Sequence, residues 1–258
     1  MVDEVPFGDA VPFGDGDAPT RWSRIQDKDY EYLALRFWNP IFRFLKSRLT
    51  SAEEAQELAQ EVFVRFMEKD LLVRASAERG SFRNFLFHVV RQMLVDHYRA
   101  RSAAKRGTDK TVSIDQVGDQ STSSHLSPEE SFDYAWYETL LDRAREVVKA
   151  NYAGKGSSDA YRAFRLFYFG ERGKPRLSHE EIARKLRLTM GQVRNHIHRA
   201  KHVFQQSVQD LVSEYATTDQ DRQSELSDFR SFLDRHRIHG FGPGDLDASA
   251  EPPEDEKE

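Results

Sequence analysis

Leu177-Ser-His-Glu-Glu-Ile-Ala-Arg-Lys-Leu-Arg-Leu-Thr-Met-Gly-Gln-Val-Arg-Asn-His-Ile-His-Arg-Ala-Lys201 decides how this chain reads. Ser178 and Glu181 stand three residues apart, and so do Thr189 and Gln192. Each pair has the pattern of a capping box, in which the hydroxyl accepts from the third helical N–H and the longer side chain reaches back to the cap. Ile182, Ala183, Leu186 and Leu188 give the first short helix and its turn an apolar face. Val193, Ile197, Ala200 and Phe204 recur at i, i+4, i+7 and i+11, the stripe of a second helix. The stretch predicts a helix–turn–helix whose second helix enters a major groove N-terminus first. Gln192, Arg194, Asn195, His198 and Arg199 face outward. Gln, Asn and Arg are the side chains that make bidentate contacts with adenine and guanine edges.

Upstream, helical spacing recurs. Leu33, Phe37, Ile41, Phe44 and Leu45 form one stripe between about residues 27 and 49, with Pro40 expected to kink or split it. Ser51-Ala-Glu-Glu54 reads as another capping box. The helix it opens carries Ala55, Leu58, Ala59, Val62, Phe63, Phe66 and Met67 on one face and Glu57, Gln60, Glu61 and Arg65 largely on the other. Ser81 is expected to cap a third helix to about residue 104, with Phe82, Phe85, Leu86, Val89, Val90 and Met93 as its stripe. No strand alternation persists. The expected class is all-α: two small helical bundles joined by a flexible linker, with disordered termini.

Charge and composition divide the chain into residues 1–29, 30–106, 107–130, 131–212 and 213–258. The whole carries a net charge of −5. Residues 30–106 are net +5 and residues 140–212 net +8, whereas residues 1–29, 107–139 and 213–258 are net −4, −6 and −8. Basic blocks attract phosphate, so the distribution points to nucleic acid although the total does not. Residues 1–29 hold two copies of Val-Pro-Phe-Gly-Asp, read as a disordered arm rather than a docking peptide. Residues 107–130 read as a linker. In residues 213–258, Leu226, Phe229, Phe232 and Leu233 suit one short amphipathic helix. Two readings of that extension stay open: an acidic arm shielding the basic helix–turn–helix, or a solvated tail.

On these motifs the chain resembles a sigma-70 superfamily sigma factor of the extracytoplasmic-function kind (group 4). Ala55-Gln-Glu-Leu-Ala-Gln-Glu-Val-Phe63 is similar to the family's polymerase-contacting signature. Residues 81–99 are similar to its promoter −10 segment, and residues 177–201 to its −35-reading region. The resemblance implies that Glu57, Leu58, Gln60 and Glu61 meet the coiled coil of the polymerase β′ subunit. It implies that Arg83, Phe85, Arg91, Gln92, Asp96 and Arg99 serve the −10 element, with the loop 75–80 capturing a flipped base. Gln92 stands where the family usually has Asn. Phe82 and Phe85 serve equally well as core residues. Gln192, Arg194, Asn195, His198 and Arg199 would read the −35 element. The implied partners are core RNA polymerase, through its β and β′ subunits, and promoter DNA, with room for an anti-sigma factor.

The chain is thus expected to be a promoter-specificity subunit with no catalytic activity of its own. The alternatives are a helix–turn–helix regulator that acts without being a polymerase subunit, and a helical adaptor that reads no DNA. There are no cysteines, which excludes disulfide scaffolds, thiol catalysis and Cys-ligated metal. His198 and His202 have metal-pair spacing but no Glu between them in the HExxH manner, so no metal and no cofactor are expected. Ala153-Gly-Lys-Gly-Ser-Ser158 lacks the spacing of a phosphate loop. The basic segment 169–176 suits either phosphate contact or a plain loop. An acidic start without an apolar run, and no run long enough to cross a bilayer, give cytoplasmic location without membrane insertion as the expectation.

Overall fold

The computed structural model describes residues 30–68, 81–106, 126–153, 158–171 and 174–241. Among these every regular element is an α-helix. The helices are α1 (Tyr30–Arg48), α2 (Ala52–Glu68), α3 (Phe82–Arg106), α4 (Pro128–Ala153), α5 (Ser158–Tyr168), α6 (His179–Leu186), α7 (Met190–Ser213) and α8 (Asp219–Arg235). They fall into two compact units, Met1–Trp136 and Tyr137–Glu258, so α4 contributes to both. The N-terminal repeat, the loop 75–80, most of the linker and the extreme C-terminus lie outside the described residues.

In the first unit, the stripe read from α1 is buried: Leu33, Phe37, Ile41, Phe44 and Leu45 are at most 3 % exposed. The helix is not split at Pro40, which lies buried within it. Proline costs a helix one N–H and crowds the preceding turn. Burying the aromatic and aliphatic side chains on either side offsets that loss. Ala55, Leu58, Ala59, Val62 and Phe66 of α2 complete this face, and Phe82, Leu86, Val90 and Met93 of α3 close over it. Met67 departs from the expected stripe and is 47 % exposed. The first turns of α4 finish the core. Phe132 is fully buried between Phe44 and Phe87, with ring centroids 5.4 and 5.3 Å away, and Trp136 stacks on Phe37 at 5.5 Å. Buried Arg48 donates to the carbonyls of Leu126 (3.0 Å) and Ser127 (2.8 Å) and to the Ser131 hydroxyl, tying the end of α1 to the start of α4.

The second unit is built on α5 and α7. Phe164 and Phe204, both fully buried, meet at 5.7 Å. The C-terminal extension belongs to this core. Phe229, Phe232 and Leu233 of α8 are at most 2 % exposed, with Phe229 6.0 Å and Phe232 5.9 Å from the Tyr137 ring. Phe241 inserts its ring 4.9 Å from Tyr168 and 5.1 Å from Phe204. Glu225 is 2 % exposed and accepts from the Tyr215 hydroxyl at 3.0 Å. Through Phe241 the extension is therefore neither a solvated tail nor a separable arm. Detaching it would expose these rings to water.

Candidate nucleic-acid interface and docking face

The helix–turn–helix forms through its caps. Ser178 accepts from Glu181 N at 3.3 Å while the Glu181 carboxylate takes Ser178 N at 2.8 Å. Arg187 closes α6 in the left-handed region at φ 58°, and Leu188 N reaches back to Ala183 O at 3.0 Å. Thr189 then opens α7. Its hydroxyl accepts from Gln192 N at 3.2 Å, and Gln192 Oε1 accepts from Thr189 N at 2.8 Å. Val193, Ile197, Ala200 and Phe204 turn inward, each at most 5 % exposed. Gln192, Arg194, Asn195, His198 and Arg199 all lie exposed, as an outward face of α7. Thr189→Ala should cost about 1 kcal/mol by removing this cap, seen as a lower melting temperature that Thr189→Ser restores.

The loop before the helix–turn–helix is held by bonds within the chain. Glu171 accepts from Lys185 at 2.6 Å and Lys174 at 3.3 Å, and these ammonium groups hold its carboxyl below the usual range. Arg176 donates to His236 O at 3.3 Å and to Arg237 O, so it caps the end of α8. In the segment 169–176, Lys174 and Arg176 thus both have partners within the chain. Gly170, at φ +71°, has no room for a Cβ, which would sit 3.0 Å from Lys174 O, so the turn into this loop requires glycine. His196 is half-buried, and burial lowers its imidazole below the ordinary value. Among the described residues no group of three His, Asp or Glu side chains is placed to hold a metal ion.

In the first unit the expected docking residues separate. Glu57, Gln60 and Glu61 are exposed along α2, and Val64 (43 %) continues their face. Leu58 is 3 % exposed and packs in the core, because its position falls on the apolar stripe. The α2 cap is shared: Ser51 accepts from Glu54 N at 3.0 Å, while the Glu54 carboxylate takes the Thr50 hydroxyl (3.1 Å) and Arg101 (2.5 Å).

Along α3, Gln92, Asp96 and Arg99 are exposed and Arg91 is half-buried. Asp96 lies 3.5 Å from Arg99 and 3.9 Å from Arg65, so cations offset its charge within an otherwise basic surface. Arg83 is different. Its side chain is 8 % exposed and forms an ion pair with Asp133 of α4. It is committed inside the unit and does not belong to a surface track. Phe82 is 2 % exposed, and Phe85 is half-buried with its ring 6.3 Å from both Phe66 and Phe82. For both rings core packing is the observed role. The Asp133 partner is invisible to helical periodicity in α3. The start of α4 carried a readable signal, however: Ser127-Pro-Glu-Glu130 is a capping box with proline at the first helical position. Both reciprocal bonds form, at 3.1 and 2.8 Å.

Among the described residues the chain is thus all-helical, with a helix–turn–helix in one unit and an exposed carboxylate–amide helix face in the other. Residues 33–104, which run from α1 through most of α3, match the family model described as sigma-70 region 2. That match spans 72 of the 258 residues and shows a stretch similar to sigma-70 region 2 in the first unit. No curated protein and no solved structure matches the chain. No described helix is long and apolar enough to cross a membrane.

Proposed function

We propose that the chain is a group 4 sigma factor of the extracytoplasmic-function kind. It binds core RNA polymerase through the Glu57, Gln60 and Glu61 face of α2 and serves the −10 element with Arg91, Gln92, Asp96 and Arg99. It reads the −35 element with the outward residues of α7. The observation that carries this reading is the sigma-70 region 2 match in one unit together with a doubly capped helix–turn–helix in the other. An exposed row of carboxylates and amides opposite an apolar stripe suits a partner helix. The cationic and amide groups on α7 suit base edges and phosphates. The site of action follows the polymerase, in the cytoplasm.

Run-off transcription with bacterial core polymerase on promoter fragments from the source genome tests this. Specific start sites are expected only when the protein is added. Glu61→Lys should reduce them at least about tenfold by placing a like charge against a surface that accepts carboxylates. Arg194→Ala should reduce them by a similar factor, about 1–3 kcal/mol for one base-edge contact. The exposed residues of α7 equally favour a regulator that binds without polymerase. That reading predicts salt-sensitive binding to duplex DNA by the protein alone and no new transcripts.

A further inference from the structure

Gln192 is both the third residue of α7 and part of its cap, and these two roles restrict what it can recognise. Its Oε1 accepts from Thr189 N at 2.8 Å and from the Thr189 hydroxyl at 3.1 Å. An amide oxygen has two lone pairs, and both are used. A backbone N–H can only donate, so the side-chain amide is oriented with oxygen toward Thr189 and nitrogen away from it. Among the described residues Nε2 has no partner. Gln192 therefore offers the solvent side of α7 two N–H donors and no acceptor. Asn195, one turn on and exposed, is not held by such a cap.

The bidentate pairing of Gln with adenine needs the amide oxygen to accept from N6 while the nitrogen donates to N7. The cap removes the first half of that pair. Guanine presents two adjacent acceptors, N7 and O6, in the major groove, and thymine only one beside a methyl group. We infer that Gln192 is a donor-only reader that selects guanine, and that the cap on Thr189 prevents it from pairing with adenine. The inference rests on the promoter-reading function proposed above. It goes further in naming the base edge that one residue selects and the intramolecular bonds that impose the choice.

The test is sequence selection by the holoenzyme, the full chain with core polymerase, from a promoter library randomised across the upstream element. Wild type is compared with Gln192→Glu and Arg194→Ala. Gln192→Glu keeps an oxygen for Thr189 N, so the cap and the fold persist, but it removes both donors. The expected result is one position where wild type prefers guanine by about five- to tenfold, the worth of one or two net hydrogen bonds. Gln192→Glu loses that preference, turns toward cytosine, whose N4 donates to a carboxylate, and leaves the other positions unchanged. Adenine at the position altered by Gln192→Glu would overturn the inference, because the amide would then be free to present its oxygen. A uniform loss across all sequences would also overturn it, because Gln192 would then face a phosphate. In both cases Arg194→Ala still changes selection at its own position, and the promoter-reading function stands. If wild type and Arg194→Ala select nothing, that function fails and the inference falls with it.

Discussion

Phe229→Ala is expected to destabilise the second unit by about 3–5 kcal/mol, a large share of a small domain's stability. Phe229 is fully buried, with its ring 6.0 Å from Tyr137 and 6.2 Å from Phe232. Truncation leaves a void that neighbouring helices fill only in part, so the transfer and cavity costs add. Thermal or denaturant unfolding followed by circular dichroism measures the loss. The same variant should weaken the proposed promoter binding at temperatures where the unit melts and spare it below. Removal of residues 217–258 should be more severe, since it also takes Leu233 and Phe241. If α8 were a solvated arm, the substitution would change stability by no more than about 0.5 kcal/mol. That result would refute the packed placement of α8.

Arg83→Gln is expected to destabilise the first unit by about 1–3 kcal/mol, because it removes a charge-assisted bond to Asp133 made by a side chain that is itself buried. The ion pair joins α3 to α4, and the Arg83 side chain is 8 % exposed. Asp133→Asn should do similar damage. The double substitution should cost clearly less than the two single losses combined, the signature of a direct interaction in a double-mutant cycle. Arg99→Ala, at a half-exposed cation, should leave stability within about 0.5 kcal/mol. Unchanged stability in Arg83→Gln together with weakened −10 binding would return Arg83 to the DNA-facing surface and contradict its place in the core. The pair also bears on what makes up the first unit. Residues 33–104 carry the region 2 match, yet Phe132 and Trp136 lie beyond it and fill the same core, and Asp133 beside them pairs with Arg83. A fragment ending at residue 106 should therefore be less stable than one ending after α4.

The helix–turn–helix was readable because its determinants are local. Ser178 finds Glu181 and Thr189 finds Gln192 within one turn, and three-residue spacing is all such bonds require. The buried stripe of α7 follows from 3.6-residue periodicity alone. The same reasoning placed Glu57, Gln60 and Glu61 on the outside of α2. It also contained the correction for Leu58, whose position on the apolar stripe conflicts with a role in surface contact.

Periodicity identifies which face of a helix is apolar, but it does not say what covers that face. Arg83 reads as one more cation in a basic helix until α4 brings Asp133 to it from 50 residues away. Leu226, Phe229, Phe232 and Leu233 read as a short amphipathic helix in an acidic tail, and only their burial in the second unit, with Phe229 and Phe232 against Tyr137, makes them core. Pro40 carries a local penalty that long-range burial outweighs. From the sequence by itself came the all-helical class, the caps, the turn and the outward residues of α7, since bonds within one or two turns determine them. Tertiary structure alone decided which charges were spent internally and how far the extension belongs to the second unit. Those outcomes depend on contacts between distant segments that residue spacing does not encode.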